Sequence, residues 1–206
     1  MTTKKLTRKD REFRQFANFE IRASQNDSEE NELYVEGYAA TFDDPTILFE
    51  YDGVEYKEQI DDKAFQDADM SDVIFNYNHG GKVMARTRNK TLQLSIDDKG
   101  LFVRARLDGT EEGRKLYEEI QGGYIDRMSF AFTIQESSYD SENHTRTIRK
   151  VKKLYDVSAV DIPAYDTTSL SARSFFEAEA EKEKKALERA EKQMKLRKQI
   201  LLELTK

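Results

Sequence analysis

The stretch "GGYIDRMSFAFTI", from Gly122 to Ile134, indicates how this chain folds. Every second residue from Met128 onward is large and apolar, and the residues between them, Ser129, Ala131 and Thr133, are small or polar. Side chains along a β-strand point alternately to opposite faces of the sheet. The pattern therefore predicts a half-buried strand with Ser129 on the face away from the core. It leaves open whether Ser129 is an ordinary outward residue or a hydroxyl presented for chemistry.

Similar patterns on both sides of that strand predict a mainly β domain. They indicate strands at Asn18–Ser24, Leu33–Phe42 and Asp72–Gly81, a hairpin that turns at Asp52-Gly53, a hairpin over Leu92–Leu107, and a long strand from Arg146 that Pro163 ends. We expect an α+β fold, mainly β, with an antiparallel β-barrel-like core flanked by a few helices.

Two helices are predicted inside that domain. Residues Asp61–Asp69 could form a short one. A longer helix follows Thr110, which can cap its start, and Gly122 can stop it.

The predicted turn at the tip of the last hairpin, "SSYDSENHT", carries His144.

The chain divides by composition into three parts. We predict a flexible arm over residues 1–15, a folded domain over 16–173, and a charged helix over 174–206. The last part is rich in Glu, Lys, Ala and Leu, and its apolar residues Leu187, Ala190, Met194, Leu201 and Leu204 keep helical spacing. That narrow stripe could serve association with a partner or another copy, or belong to a solvated tail.

Composition excludes several classes of site. The 206 residues include no Cys, which rules out disulfides and thiolate chemistry, and only 2 His, which makes a histidine metal site improbable. The net charge of -6 argues against nucleic acid as a partner. No apolar run approaches the length of a membrane span. We expect no metal, no cofactor and no membrane partner, and a protein that is cytosolic where it is made.

One set of residues has the composition of a nucleophilic site. His79 lies at the end of a predicted strand, beside Gly80 and Gly81. Ser129 lies in the strand quoted above, and Asp156 lies in the last long strand. A serine nucleophile needs a base to accept its proton, and the base needs an acidic partner to orient it. A lone Ser on a strand and a His at a strand end are usually ordinary surface or loop residues, and Asp156 could simply face outward. The patterns alone do not show that the three residues act together.

The chain resembles the prohead serine protease family of tailed bacteriophages, the capsid-maturation proteases. Five segments carry the resemblance, in order: "GYAATF", "FNYNHGGKVMART", "LQLSIDDKGLFVRARL", "GGYIDRMSFAF" and "LYDVSAVDIPAYDTTSL". They extend over roughly Phe16 to Ala172. By this resemblance the fold is similar to that of herpesvirus assemblin, a β-barrel flanked by helices.

The resemblance implies roles for the same three residues. It implies Ser129 as nucleophile, His79 as base, and Asp156 at an acidic position where the family usually has Glu. Asp161 on the same strand is a weaker candidate for the third member. Backbone N–H groups, aided by Arg104 or Arg106, are a hypothesis for holding the oxyanion.

The function that the resemblance implies is endopeptidase activity during prohead assembly. The expected substrates and partners are the major capsid protein with its scaffold segment and the protease itself, inside the assembling procapsid in the host cytoplasm. Self-association is also expected. The alternative is a non-enzymatic capsid-assembly scaffold protein. A third hypothesis is a protease fused to a scaffold-like helix.

Overall fold

The computed structural model describes residues 11–15, 22–25, 32–161 and 170–204. The chain divides into two compact units, Met1–Ser169 and Leu170–Lys206. In the first unit the strands are β1 (Glu12–Gln15), β2 (Arg22–Gln25), β3 (Leu33–Thr41), β4 (Thr46–Tyr51), β5 (Val54–Ile60), β6 (Ile74–Tyr77), β7 (Gly80–Arg86), β8 (Leu92–Ile96), β9 (Gly100–Arg106), β10 (Arg127–Asp140) and β11 (Thr145–Val160). Helix α1 spans Glu111–Gln121 between β9 and β10, and α2 spans Leu170–Leu204 in the second unit.

The described strands form two sheets. One has seven strands, in the order β1-β10-β11-β5-β4, with β6 pairing with β11 and β7 pairing with β6; the other has four, in the order β2-β3-β9-β8. The mainly β, α+β fold class is confirmed. The barrel-like closure is wrong for the described residues, because the strands split between two open sheets.

Strand β11 organises the larger sheet. It pairs antiparallel with β10 along most of its length. Its first residues pair parallel with β5, and its last residues, Asp156–Ala159, pair parallel with β6. A single long strand therefore carries two different neighbours on one edge, and the second of them leads directly to His79.

The hydrophobic core contains residues of both sheets and of α1, including Val35, Val103, Leu116, Phe130 and Leu154. Met128, Phe130 and Phe132 are buried, as the alternation predicted. The residues between them are buried too: Ser129 is 1% exposed and Thr133 3%. The prediction of one solvent-facing side for this part of β10 is therefore wrong, because both faces of the strand are covered.

Local turn chemistry agrees with the predicted hairpins and the predicted cap. Asp52 and Gly53 both have positive φ between β4 and β5, as a two-residue hairpin turn requires. The Thr110 side chain accepts a hydrogen bond from the Gly113 N–H and caps α1. At the other end of α1 the left-handed residue is Gly123, one position beyond the glycine that was predicted to stop the helix.

The short helix predicted at Asp61–Asp69 is wrong. The segment forms successive turns whose hydrogen bonds span three residues, such as Ala64 N–H to Asp61 O. Its backbone also bonds to β11, where Val151 N–H donates to Ala64 O and Leu154 N–H donates to Asp69 O. In a continuous helix the Ala64 carbonyl would accept from the Ala68 N–H, but here it accepts from Val151 and the Ala68 N–H donates to Phe65 O instead.

The boundaries near both ends of the predicted domain are described only in part. Residues 12–15, inside the predicted flexible arm, form strand β1, whereas residues 1–10 lie outside the described residues. Strand β2 begins at Arg22 rather than at Asn18, and residues 16–21 are not described. Strand β11 ends at Val160, and Pro163, the predicted end, lies outside the described residues.

Helix α2 accounts for the described part of the second unit. It begins at Leu170, four positions before the predicted start of the charged helix. Leu187, Met194 and Leu201 of the predicted apolar stripe are exposed by 68%, 58% and 68%. No helix within the described ranges is both long enough and apolar enough to cross a membrane.

Candidate active site

Four polar side chains share one face of the seven-stranded sheet. Ser129 on β10 pairs with Ser158 on β11, and Ser158 pairs in turn with Asn76 on β6. Asp156 lies two residues before Ser158 and therefore on the same face. All four are at most 4% exposed. Directly paired positions on neighbouring strands hold their side chains close together, so the register of three strands assembles this cluster.

His79 reaches the same face from the turn between β6 and β7. Tyr77 pairs with Gly80, which leaves Asn78 and His79 as a two-residue hairpin loop with φ of 48° and 55°. Asn and His are among the non-glycine residues that most often adopt this left-handed conformation. The predicted strand Asp72–Gly81 is thus shorter, and its two glycines begin β7 instead of ending β6.

The structure brings the three sequence-predicted site residues together. The Nε2 atom of His79 lies 2.7 Å from Oγ of Ser129, and its Nδ1 atom lies 2.6 Å from Oδ1 of Asp156. A carboxylate only accepts, so the ring proton of neutral His79 belongs on Nδ1, and the Nε2 lone pair faces the Ser129 hydroxyl. The arrangement can therefore pass the Ser129 proton to His79 while Asp156 stabilises the resulting cation.

Ser158 is a member of the site that sequence reasoning missed. Its Oγ atom lies 2.9 Å from Oδ1 of Asp156 and 3.1 Å from Nδ1 of His79, and it accepts a bond of 3.2 Å from the His79 backbone N–H. It also hydrogen-bonds to Oδ1 of Asn76. The signal was available in "DVS", because alternation puts residues two apart on the same face of a strand.

The other predicted candidates lie elsewhere. Asp161 accepts hydrogen bonds from the Tyr77 hydroxyl at 2.6 Å and the Asn78 side-chain amide at 3.1 Å, so it braces the hairpin that carries His79. Arg104 and Arg106 lie on β9 in the other sheet, where they form ion pairs with Glu36 and Glu32. Their engagement there does not support the hypothesis that they hold an oxyanion.

His144 lies in the turn between β10 and β11, as predicted, with Nδ1 3.3 Å from the Tyr139 hydroxyl. Among the described residues, no group of three or more His, Asp or Glu side chains could hold a metal ion.

Strand β1 also contacts the site. The Ser129 hydroxyl lies 2.9 Å from the backbone carbonyl oxygen of Arg14, and the ring of Phe13 packs edge-on against His79 with centroids 4.7 Å apart. Strand β1 therefore contacts both Ser129 and His79.

The chain is similar to a known protein family and to a solved structure. The family model described as caudovirus prohead serine protease matches residues 17–184. The solved structure of the capsid assembly protease gp21 of bacteriophage T4 is similar at a TM-score of 0.43, with 14% identity over 75% of this chain and 99% of that chain. No curated protein matches the chain significantly.

Proposed function

This chain belongs to the family of caudovirus prohead serine proteases, and we propose that it cleaves capsid and scaffold polypeptides with Ser129 as nucleophile, His79 as base and Asp156 as the third member. Its class, serine protease, follows from the family. The same membership argues against the non-enzymatic scaffold alternative. The observation that carries the assignment of residues is the His79 ring, which lies within hydrogen-bond distance of both Ser129 and Asp156.

The proposed reaction is acyl transfer in two steps. His79 Nε2 takes the Ser129 proton as Oγ bonds to the scissile carbonyl carbon, and the same proton then passes to the departing amine. A water molecule next gives its proton to His79 and attacks the acyl-enzyme, after which the proton returns to Ser129. Asp156 keeps the Nδ1–H oriented throughout and stabilises the charged ring.

Burial strengthens the electrostatic interactions within the site. Asp156 is 4% exposed and Ser129 is 1% exposed, so few water molecules compete for their hydrogen bonds. In such surroundings the attraction between a carboxylate and an imidazolium is stronger than in water. The charge that develops on His79 during attack thus meets a partner already in place.

The proposed substrates are the scaffold-like segment of the major capsid protein and segments of the protease itself, within the assembling procapsid. We further propose that the chain self-associates there. The narrow apolar stripe on α2, whose Leu187 and Met194 are exposed, supports a role for that helix in docking.

The test is co-expression of the chain with its capsid protein, followed by mass measurement of the capsid product. The unaltered chain should truncate the capsid protein, and Ser129→Ala should leave it full-length. Ser138→Ala, an exposed serine on the same strand, serves as the matched control and should cleave normally. Equal truncation by the Ser129→Ala chain would contradict the proposal.

A further inference from the structure

Strand β1 covers the candidate active site as an added edge strand. It pairs antiparallel with β10, and the register sets Arg14 opposite Phe130 and Gln15 opposite Ser129. The other edge of β10 pairs with β11. An extended substrate peptide that reaches Ser129 along this edge of the sheet would therefore require the place that β1 fills, since such peptides commonly bind by adding a strand.

The contact between β1 and Ser129 competes with the proposed chemistry. A serine hydroxyl has one proton to donate, and two acceptors lie within reach: the Arg14 carbonyl at 2.9 Å and His79 Nε2 at 2.7 Å. When the proton is donated to the carbonyl, His79 does not receive it. Phe13 also occupies space beside the His79 ring. With β1 in place, both the nucleophile and its base contact a segment of the chain itself.

Charged side chains hold β1 in this position. The Arg14 guanidinium, 2% exposed, pairs with Glu58 of β5, which is fully buried, and with Glu12. Arg146 of β11 lies 3.4 Å from Glu58 and 3.7 Å from Glu12. Burial by itself lowers the pKa of Arg14, but Glu58 and Glu12 raise that pKa above its usual value.

The charges on β1 are complementary to those on the strands that it contacts. Strands β5 and β11 supply one buried anion, Glu58, and one buried cation, Arg146, whereas β1 supplies Arg14 and Glu12. Glu58 and Arg146 already face each other, and each also meets a residue of opposite charge on β1. A residue of like charge in either place would be repelled in these buried surroundings, so Glu58 and Arg146 favour a strand with a basic residue at one position and an acidic residue two before it. The family match begins at residue 17, and β1 therefore precedes the matched region.

We propose that the edge of β10 beside Ser129 binds the substrate and that β1 occupies this edge as a substrate-like strand. Glu58 and Arg146 then select peptides in which an acidic residue stands two positions before an arginine. This inference rests on the proposed protease function. The substrate class is an extended peptide that pairs with β10 as Glu12–Gln15 do. Cleavage requires displacement of β1, so the same contact limits the basal rate.

Peptide binding tests this proposal without requiring catalysis. The probe is a fluorescein-labelled peptide of residues 8–17, RKDREFRQFA, and the host is the full chain with Ser129→Ala and Arg14→Ala. Arg14→Ala removes an anchor of β1 and leaves Glu58 paired with Arg146. Anisotropy should show that this chain binds the peptide at least tenfold more tightly than a chain with Ser129→Ala and Arg14 intact.

Peptide variants test the charge selection without altering the protein. Arg14→Ala or Glu12→Lys within the peptide should weaken binding at least tenfold, Arg14→Lys less, and a scrambled peptide should not bind. Equal affinity for the parent and Arg14→Ala peptides would overturn the charge selection. Equal binding by the two host chains would overturn the occupancy of this edge by β1.

Hydrogen exchange keeps the proposal testable if Arg14→Ala disturbs folding. In the chain with only Ser129→Ala, saturating peptide should speed amide exchange at residues 12–15, because the peptide displaces β1. Unchanged amide exchange at residues 12–15 with saturating peptide would contradict the claim that the peptide and β1 bind to the same edge of β10. The two proposals can fail separately: selective peptide binding without capsid cleavage refutes the protease assignment only, and cleavage without selective binding refutes this one.

Discussion

The Nε2 atom of His79 lies 2.7 Å from the Oγ atom of Ser129, although fifty residues separate them in the chain. The pairing of β6 and β10 with opposite edges of β11 produces this approach. It is the distance at which an imidazole can accept a proton from a hydroxyl. Substitutions that remove the base or disturb its orientation should therefore slow reactions at Ser129.

Replacement of His79 should slow reactions of Ser129. We expect His79→Ala to reduce the rate of Ser129 phosphonylation by a fluorophosphonate by about 100-fold or more, because general-base assistance contributes about that much. His144→Ala is the matched control, since it removes the only other histidine from a hairpin turn away from the site. Mass spectrometry would follow labelling over time, and equal rates for the two variants would count against His79 as the base.

Replacement of aspartate by asparagine distinguishes the role of Asp156 from that of Asp161. Asp156→Asn should lower kcat by about 10²- to 10⁴-fold, because an amide can hold the imidazole in the wrong tautomer and does not stabilise its cation. Asp161→Asn should lower it far less, since Asp161 bonds to Tyr77 and Asn78 rather than to the His79 ring. Steady-state cleavage of a capsid-derived peptide measures both. A larger loss in Asp161→Asn would reverse the assignment.

Ser158 should act as a positioning residue. Ser158→Ala removes the contacts of its hydroxyl with Asp156 and the His79 backbone, so we expect kcat to fall about tenfold to a hundredfold through misplacement of the ring. KM should change little, because Ser158 is not expected to touch substrate. Ser138→Ala provides an exposed serine control. Unchanged kcat together with a lowered melting temperature would indicate a purely structural role.

The hairpin turn that carries His79 should be sensitive to residue type at Asn78. Asn78→Val should destabilise the fold by about 1–2 kcal/mol and impair cleavage, because a β-branched residue is strained in the left-handed conformation. Asn78→Gly should keep the turn, since glycine adopts positive φ without strain. Urea unfolding and peptide cleavage test the pair together. Equal behaviour of the two variants would show that turn conformation does not position His79.

Acid should weaken the attachment of the Asp61–Asp69 segment to β11. Hydrogen bonds from Lys153 and Ser71 lower the pKa of Asp69 from 3.8 to about 2. A depressed pKa in the folded state stabilises the protein above the unfolded pKa, so this stabilisation is present at neutral pH and is lost as the pH falls from 3.8 towards about 2.

Asp69→Asn removes that contribution at every pH. The side chain is 45% exposed, and solvent screening should therefore keep the difference in unfolding free energy from the unaltered chain below about 1 kcal/mol at pH 7. Denaturant titrations at several pH values should show the difference closing as the pH falls from 3.8 towards about 2. A difference that grows on acidification would contradict a stabilising role for the ionised Asp69 carboxylate.

Local patterns predicted much of the fold because they depend on neighbouring residues. The structure has a hairpin turn at Asp52-Gly53 and a helix cap at Thr110, as predicted. It also has a hairpin where the residues alternate from Leu92 to Leu107. The helix expected at Asp61–Asp69 failed because long-range hydrogen bonds to β11 replaced local ones. The two open sheets were likewise not predictable, since sheet closure depends on which distant strands pair.

The site divides in the same way. The residue types made His79, Ser129 and Asp156 candidates, because a hydroxyl, an imidazole and a carboxylate have distinct chemistry wherever they lie. Their alternation did not distinguish them from ordinary surface residues, and the roles came from the resemblance to a family. Their convergence depends on the parallel pairing of β6 with β11 and on a left-handed turn at Asn78-His79. The contact of Arg14 with Ser129 depends on the register in which β1 pairs with β10, and the paired residues are more than a hundred positions apart in the chain. No local pattern specifies this pairing, because its stabilising contacts form only when the chain has folded.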